Sequence, residues 1–160
     1  MRTTAGTTSP SVLAATADSY RDRGWLVSTT ANGISLITDA AVCGIELPEE
    51  LAEGVHAFMQ ANGLVGPVIT LPGATNREIH LVTGVAKATM ALEALRKLGA
   101  IIYQDGAGIP LPPTQLSAGS ARWAIAPEDC RWTPPVVALA AAVRATTSRR
   151  WTARSASVAC

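Results

Sequence analysis

The acidic residues that could hold a metal or move a proton form one group in this 160-residue chain. Three of them follow Pro48 at the start of a predicted helix, where carboxylates offset the positive end of the helix macrodipole. These are Glu49, Glu50 and Glu53. Glu46 differs because it ends a predicted strand, a place where metal-binding carboxylates often lie. By itself it does not fix Mg²⁺, which takes one or two carboxylates together with substrate phosphates.

The chain has two histidines, and no sequence pattern joins them to a nucleophile. His80 lies in a predicted strand, whose alternation places it on the face opposite to Ile79 and Leu81. We therefore expect a half-exposed histidine, which either has no role or contacts a phosphate or a nucleotide. His56 is predicted to lie on the surface of a helix.

The other sequence signals of catalysis or metal binding are absent. There is no phosphate-binding Gly-x-x-x-x-Gly-Lys-Ser/Thr loop and no Gly-x-Ser-x-Gly elbow. Gly106 and Gly108 lack the following helix that a dinucleotide fingerprint requires, so they are predicted to form a turn. Three cysteines and two histidines form no zinc site of ordinary spacing. We expect reduced thiols at Cys43, Cys130 and Cys160.

The end of the chain is basic. Residues 144–160 include four arginines and no acid, so the rest of the chain carries a net charge near −3. Trp151, flanked by Arg149 and Arg150, offers the combination of stacking and charge that binds single-stranded nucleic acid. The alternative is a solvated, disordered end without a ligand.

Periodicity and turn signals predict the elements that must position these residues. Helices are predicted over residues 11–23, 49–62, 86–98 and 134–143. Strand pairs alternate with these helices, which predicts a single α+β (mixed α/β) domain with an antiparallel or mixed sheet and about four helices. The domain is predicted to cover residues 10–143, after a flexible leader (1–9) and before a basic, disordered tail (144–160). The proline-rich segment 109–113 should be an edge strand.

The composition excludes two classes of protein. Hydrophobic residues make up 48% of the chain and charged residues 16%, which is too apolar for a disordered chain. No apolar run approaches the roughly 20 residues that cross a bilayer, and the N-terminus has no hydrophobic segment of a signal peptide. We therefore expect a cytoplasmic protein without a membrane partner.

Four stretches of the sequence follow one another in a recognisable order. The first is an alanine-rich helix that ends in Arg23-Gly24-Trp25 before a strand. The others are a strand at 43–48, a strand with a histidine at 75–81, and a glycine-rich hairpin with a Pro-Pro turn and a closing strand at 101–123. Together they resemble the bifunctional DNA primase/polymerase (prim-pol) domain of the archaeo-eukaryotic primase superfamily. The resemblance extends over residues 12–126 and implies a primase/polymerase-like fold.

The resemblance also implies which functional residues are missing. The metal strand of the family carries Asp-x-Asp, whereas the matching positions here are Glu46 and Pro48. A third family aspartate is matched by Ile101, and His80 matches the histidine that contacts the nucleotide. Two-metal phosphoryl transfer needs cations that carboxylates hold. We therefore expect a catalytically degenerate member in which Glu46 and His80 are vestigial. It needs no cofactor unless residual activity requires Mg²⁺ or Mn²⁺.

Three functions stay open at this point. The first is a non-catalytic domain that binds DNA or a nucleotide, or docks to a replication or regulatory partner. The residues expected to contact nucleic acid are Arg77, His80, Arg122, Arg149, Arg150 and Trp151. The second is a protein–protein interaction module that uses an edge strand or the apolar last helix and has no nucleic-acid ligand. The third is an active primase with an altered metal site at Glu46.

Overall fold

The computed structural model describes the backbone of residues 7–158 and the side chains of residues 7–149. This part of the chain contains four α-helices: α1 (Pro10–Arg21), α2 (Glu49–Ala61), α3 (Thr89–Lys97) and α4 (Val136–Val158). It also contains ten strands: β1 (Val27–Thr30), β2 (Gly33–Ile37), β3 (Cys43–Leu47), β4 (Val68–Leu71), β5 (Arg77–Val82), β6 (Ile101–Tyr103), β7 (Gly108–Leu111), β8 (Gln115–Leu116), β9 (Gly119–Ser120) and β10 (Arg122–Ile125). None of these helices combines the length and the hydropathy that crossing a membrane requires.

Five strands form the central sheet in the order β10-β4-β5-β3-β6, and every neighbouring pair is antiparallel. A second antiparallel sheet has the order β1-β2-β7, and β8 pairs with β9. The predicted α+β fold class is confirmed. Strand β7, which contains Pro110, lies at the edge of its sheet, as the missing backbone donor requires.

Apolar side chains cover both faces of the central sheet. On one face, Ile45 and Val82 pack with residues of α2, α3 and α4; we call this the helix face. On the other, Ile79 and Leu81 pack with residues of α1 and of the second sheet; we call this the second-sheet face. Successive side chains of a strand point to opposite faces, and β5 and β6 contribute apolar side chains to both cores.

Helix α2 lies on the helix face and carries one of the two histidines. A proline precedes its first turn, which contains two glutamates, and this is a favourable start for a helix. The buried residues Leu51, Val55 and Met59 recur every four positions and form the stripe that packs on the core. His56 follows Val55 and therefore lies at the margin of this stripe.

The last helix is longer than predicted. The sequence predicts a helix over residues 134–143 and a disordered tail, whereas α4 continues to Val158. Neither proline nor glycine occurs after Pro135, so no residue with strongly unfavourable helix propensity ends the helix. Thr146 is buried, and its hydroxyl donates to the carbonyl oxygen of Ala142 at 2.9 Å. The predicted leader, residues 1–9, lies outside the described residues except for its last three.

An aromatic cluster holds helix α1 against the later strands. The Tyr20 hydroxyl donates to the carbonyl oxygen of Pro112 at 2.7 Å and accepts from Trp123 Nε1 at 3.1 Å. The Trp25 ring lies 5.7 Å from the Tyr20 ring and 6.2 Å from the Trp123 ring, measured between centroids. Tyr20 and Trp123 are 103 positions apart in the chain, so the cluster joins distant parts of the sequence.

Candidate functional site

The strand register separates Glu46 and His80, the two residues expected to be vestigial catalytic groups. In the pairing of β3 with β5, Ile45 lies opposite His80 and Glu46 lies opposite Ile79. Directly opposed residues of an antiparallel pair point to the same face of the sheet. His80 therefore points to the helix face, whereas Glu46 points to the second-sheet face. These two side chains do not share a site.

Glu46 is buried and is held by three donor groups. The Arg77 guanidinium pairs with it in a bidentate manner, Nε donating to Oε1 at 2.6 Å and Nη2 to Oε2 at 2.9 Å. The Tyr103 hydroxyl donates to Oε2 at 2.7 Å. Burial by itself would raise the pKa of Glu46, but the hydrogen bonds from Arg77 and Tyr103 lower that pKa below its ordinary value. Burial and the adjacent carboxylate raise the pKa of Tyr103 to about 12. Both carboxylate oxygens of Glu46 are therefore occupied by the ion pair with Arg77 and the hydrogen bond from Tyr103.

Arg77, His80 and Arg122, which were expected to contact nucleic acid, lie on two faces of the central sheet. Arg77 is engaged on the second-sheet face. Arg122 lies opposite Thr70, and Thr70 lies opposite Glu78, so Arg122 shares the helix face with His80. Its side chain is exposed on the edge strand β10. Two strand spacings, about 10 Å, separate the backbones of Arg122 and Glu78, and an extended arginine side chain covers much of that distance.

His80 is buried, which corrects the half-exposed position expected from the sequence. It is 5% exposed, because β5 is an inner strand and both faces of the sheet are covered. Its Nε2 has no hydrogen-bond partner among the described residues. Burial, and then the neighbouring His56, lower the pKa of His80 to about 4. At neutral pH the residue is therefore an uncharged imidazole with an unsatisfied buried nitrogen, which is costly for a folded protein.

His56, which was expected on the surface of its helix, is half-buried and packs beside His80. Its Nε2 lies 2.7 Å from Glu78 Oε2, and the two imidazole centroids are 5.4 Å apart. The hydrogen bond to Glu78 raises the pKa of His56, and the same hydrogen bond lowers the pKa of Glu78. Both side chains keep partial access to solvent, with 30% of His56 and 21% of Glu78 exposed. The pair is thus accessible to solvent, whereas His80 is enclosed.

A cavity of about 250 Å³ adjoins the two imidazoles. It lies between the end of α2 and the outer strands of the central sheet. Besides the histidines, its walls are formed by Met59, Gln60, Val65, Gly66, Val68 and Ile125. A small molecule or several waters fit this volume, and the polar groups that they would meet are those of the histidines and Gln60.

His56, Glu78 and His80 together present the donor types of a transition-metal site. One potential ligand atom from each residue lies within 4.8 Å of the others. The sequence analysis does not predict a metal site at these three residues, and the reason for the omission is plain. Glu78 and His80 are two positions apart and share one face of a strand, which is a usable sequence signal of a metal site. His56, however, lies on a helix 22 positions before Glu78. No spacing rule connects the helix to the strand.

The positions of β3 and β6 nearest to His80 on the helix face are apolar. Ile45 is the direct partner of His80, and Ile102 lies opposite Ile45. Leu47 follows Ile45 on the same face. A carboxylate on β3 or β6 that shared a metal with His80 would have to occupy one of these three positions, rather than those that the resemblance matches. The described residues place no acid there.

The basic end of the chain belongs to α4 as far as Val158. Arg144 and Arg149 are exposed on this helix. The side chains of Arg150 and Trp151, which were also expected to contact nucleic acid, lie outside the described residues. No acidic residue follows Asp129 in the sequence, so this part of the helix attracts anions without an internal counter-charge.

Comparison with known proteins identifies no relative: no family model, no curated protein and no solved structure matches the chain. Function is therefore inferred from the residues and from their geometry.

Proposed function

We propose that this chain is a primase/polymerase-like domain that has lost phosphoryl transfer and binds single-stranded DNA. The observation that carries the loss of catalysis is the apolar helix face beside His80. Ile45, Leu47 and Ile102 occupy the strand positions from which carboxylates could hold catalytic cations. Two-metal catalysis needs several such carboxylates. Glu78 is the one acid that β5 places on this face, and a single carboxylate does not hold two cations.

Exposed arginines support binding of a phosphate backbone. Arg122 lies on the open edge of the helix face, and Arg144 and Arg149 are exposed on α4. Phosphate contacts by such residues supply most of the affinity of non-specific nucleic-acid binding. Arg77, by contrast, is neutralised by Glu46 and is left out of the proposed interface.

Fluorescence anisotropy with a labelled single-stranded oligonucleotide tests this proposal. We expect the logarithm of the binding constant to fall linearly with the logarithm of the salt concentration. Each phosphate contact that is lost should reduce the slope by about 0.7. The informative variants are Arg122→Gln and the double variant Arg144→Gln/Arg149→Gln.

A matched control removes one positive charge elsewhere. Arg96 is exposed on α3, and Arg96→Gln should leave both the affinity and the salt slope close to those of the unmodified chain. Absence of binding by the full chain at low salt would overturn the proposal. So would equal losses in Arg96→Gln and in the two test variants, because the effect would then come from net charge alone.

The same protein should incorporate no nucleotide into a primed template with Mg²⁺ or Mn²⁺. Incorporation that is abolished by Glu46→Ala would restore the alternative of an active primase with an altered metal site. Because Glu46 is buried in an ion pair, circular dichroism must show that this variant is folded before its activity is interpreted.

A protein-interaction module without a nucleic-acid ligand is the second candidate, and one surface favours it. An apolar groove of about 550 Å³ lies between α3 and α4. Met90 is 82% exposed at its rim, and Leu98 and Val137 are 41% and 53% exposed. Sedimentation at increasing concentration tests the simplest partner, a second copy of the chain. Self-association that Met90→Asp abolishes, together with no DNA binding, would favour this function.

A further inference from the structure

We propose that His56, Glu78 and His80 form a binding site for one zinc ion. The site joins two residues of β5 to one residue of α2 on the helix face of the central sheet. It stands apart from the DNA binding proposed above, because the arginines of that interface are not among its ligands.

The geometry already brings the three donors together. The potential ligand atoms lie within 4.8 Å of one another, and His56 Nε2 is 2.7 Å from a Glu78 oxygen. In a tetrahedral site with metal–ligand bonds of about 2.1 Å, donor atoms are about 3.4 Å apart. Completing the site therefore requires the widest separation to close by at most about 1.4 Å and the His56–Glu78 pair to open by about 0.7 Å. His56 and Glu78 are partly exposed and can make that adjustment.

The buried nitrogen of His80 is the second, independent observation. Its Nε2 is shielded from solvent and has no partner within the described part of the chain, although buried polar atoms are nearly always paired. His80 also lines the cavity that adjoins His56. A metal ion bound through Nε2 would supply the missing partner.

The donor set indicates the class of ion. Two imidazoles and one carboxylate suit zinc and similar transition metals, whereas Mg²⁺ and Ca²⁺ prefer oxygen ligands alone. Three protein ligands leave a fourth position of a tetrahedral zinc ion open. Here that position would face the cavity of about 250 Å³ with Gln60 in its wall. We therefore infer a site that holds a water molecule or a small anion on the metal, rather than a closed structural site.

The composition of the chain makes the test unusually specific. The sequence has only two histidines, and both belong to the proposed site. The full chain, without an affinity tag and after treatment with a chelator, is titrated with zinc chloride in a calorimeter. Cobalt(II) is added in a parallel experiment, because its visible absorption reports the ligands and their geometry. We expect one ion per chain, a tetrahedral cobalt spectrum without a thiolate band, and no competition from Mg²⁺.

Three variants and one control decide the outcome. His80→Ala, His56→Ala and Glu78→Gln should each weaken zinc binding at least about tenfold. Glu53→Gln removes an exposed carboxylate from the same helix as His56 and should bind zinc like the unmodified chain. Because His80 is buried, His80→Ala is interpreted only if it is folded. If His80→Ala does not fold, His56→Ala tests the zinc site instead, because it changes a partly exposed position.

Several results would overturn the zinc site. These are no binding by the full chain, binding that is unchanged in the histidine variants, and a cobalt–thiolate absorption band, which would assign the metal to cysteines. The oligonucleotide titration is repeated with a chelator present. Loss of zinc binding with intact DNA binding would reject this site alone, and the reverse result would reject the proposed function alone.

Discussion

Glu46 illustrates how residue type alone misleads about function. A carboxylate at the end of a strand is a reasonable metal ligand, but here both of its oxygens accept hydrogen bonds from Arg77 and Tyr103. The side chain of Glu46 is 9% exposed and that of Arg77 is 45% exposed. The pair therefore stabilises the second-sheet face, and the exposure of Arg77 moderates its strength.

Removal of one partner of this pair should be costly. Arg77→Ala leaves a buried carboxylate with one remaining donor, and we expect the free energy of unfolding to fall by about 2 kcal/mol. Urea denaturation measures this change. Arg21→Ala is the matched control, because it breaks an exposed pair with Asp18 and should cost less than about 0.5 kcal/mol. Equal losses in the two variants would show that the buried pair contributes nothing special.

The pH dependence of stability should carry the signature of Glu46. Its pKa is lower in the folded protein than its ordinary value of 4.5. The resulting stabilisation is complete above the unfolded pKa and is lost as the pH falls from about 4.5 through the lower folded value. Glu46→Gln lacks this contribution, so its stability should depend less steeply on pH in that window. Parallel acid profiles of the two proteins would contradict the assignment.

Part of this residue-level arrangement can be read from the sequence, and part cannot. Alternation correctly places His80 and Ile79 on opposite faces of β5. Alternation says nothing about exposure, which depends on the elements that pack on each face, and so His80 is buried rather than half-exposed. The pairing of Glu46 with Arg77 depends on the register of two strands 31 positions apart, which no local pattern specifies.

At the scale of elements, the contact between α2 and α4 shows how much of the last helix packs against the rest of the domain. A Cβ atom at Gly54 would overlap Thr146 Cγ2 and lie 2.9 Å from its Oγ1. The two helices therefore approach closely where α2 carries a glycine. Thr146 lies beyond residue 143, where the apolar pattern of the last helix ends. The helix nevertheless continues, and at Thr146 it packs against a glycine of α2 rather than against a large apolar side chain.

A double-mutant cycle tests this contact. Gly54→Ala should destabilise the protein by about 1 kcal/mol, because the overlap outweighs the gain in helix propensity. In the Thr146→Ala background the overlap is largely relieved, and the same change should become neutral or stabilising. Ala57→Gly, at an exposed position of α2, should cost about 1 kcal/mol in both backgrounds. If Gly54→Ala has the same effect in both, the helices are not packed at this point.

At the scale of the whole molecule, the central sheet separates two cores, and its inner strands are the best protected part. Strands β3 and β5 have neighbours on both sides, whereas β6 and β10 are edges. The alternation of helices and strand pairs is enough to predict an α+β domain. The sequence does not reveal that a second sheet covers one face, because β2 pairs with β7 across more than seventy positions.

Hydrogen exchange should reproduce this layering. We expect the amides of β3 and β5 to exchange only on global unfolding, and those of the edges β6 and β10 at least about 100-fold faster through local opening. Mass spectrometry or NMR of the native protein measures both groups in one experiment. Uniform protection across the five strands would mean that the edges are as stable as the centre.

The aromatic cluster around Tyr20 has a consequence for how the protein is made. Chains leave the ribosome from the N-terminus, so helix α1 emerges long before Pro112 and Trp123, which provide its hydrogen-bond partners. Strand β2 likewise cannot pair with β7 until that later strand has been synthesised. The part of the protein that is synthesised first is thus completed only when residues 108–123 have followed. A nascent chain arrested before residue 123 should expose the apolar side of α1, and it is the species most in need of a chaperone.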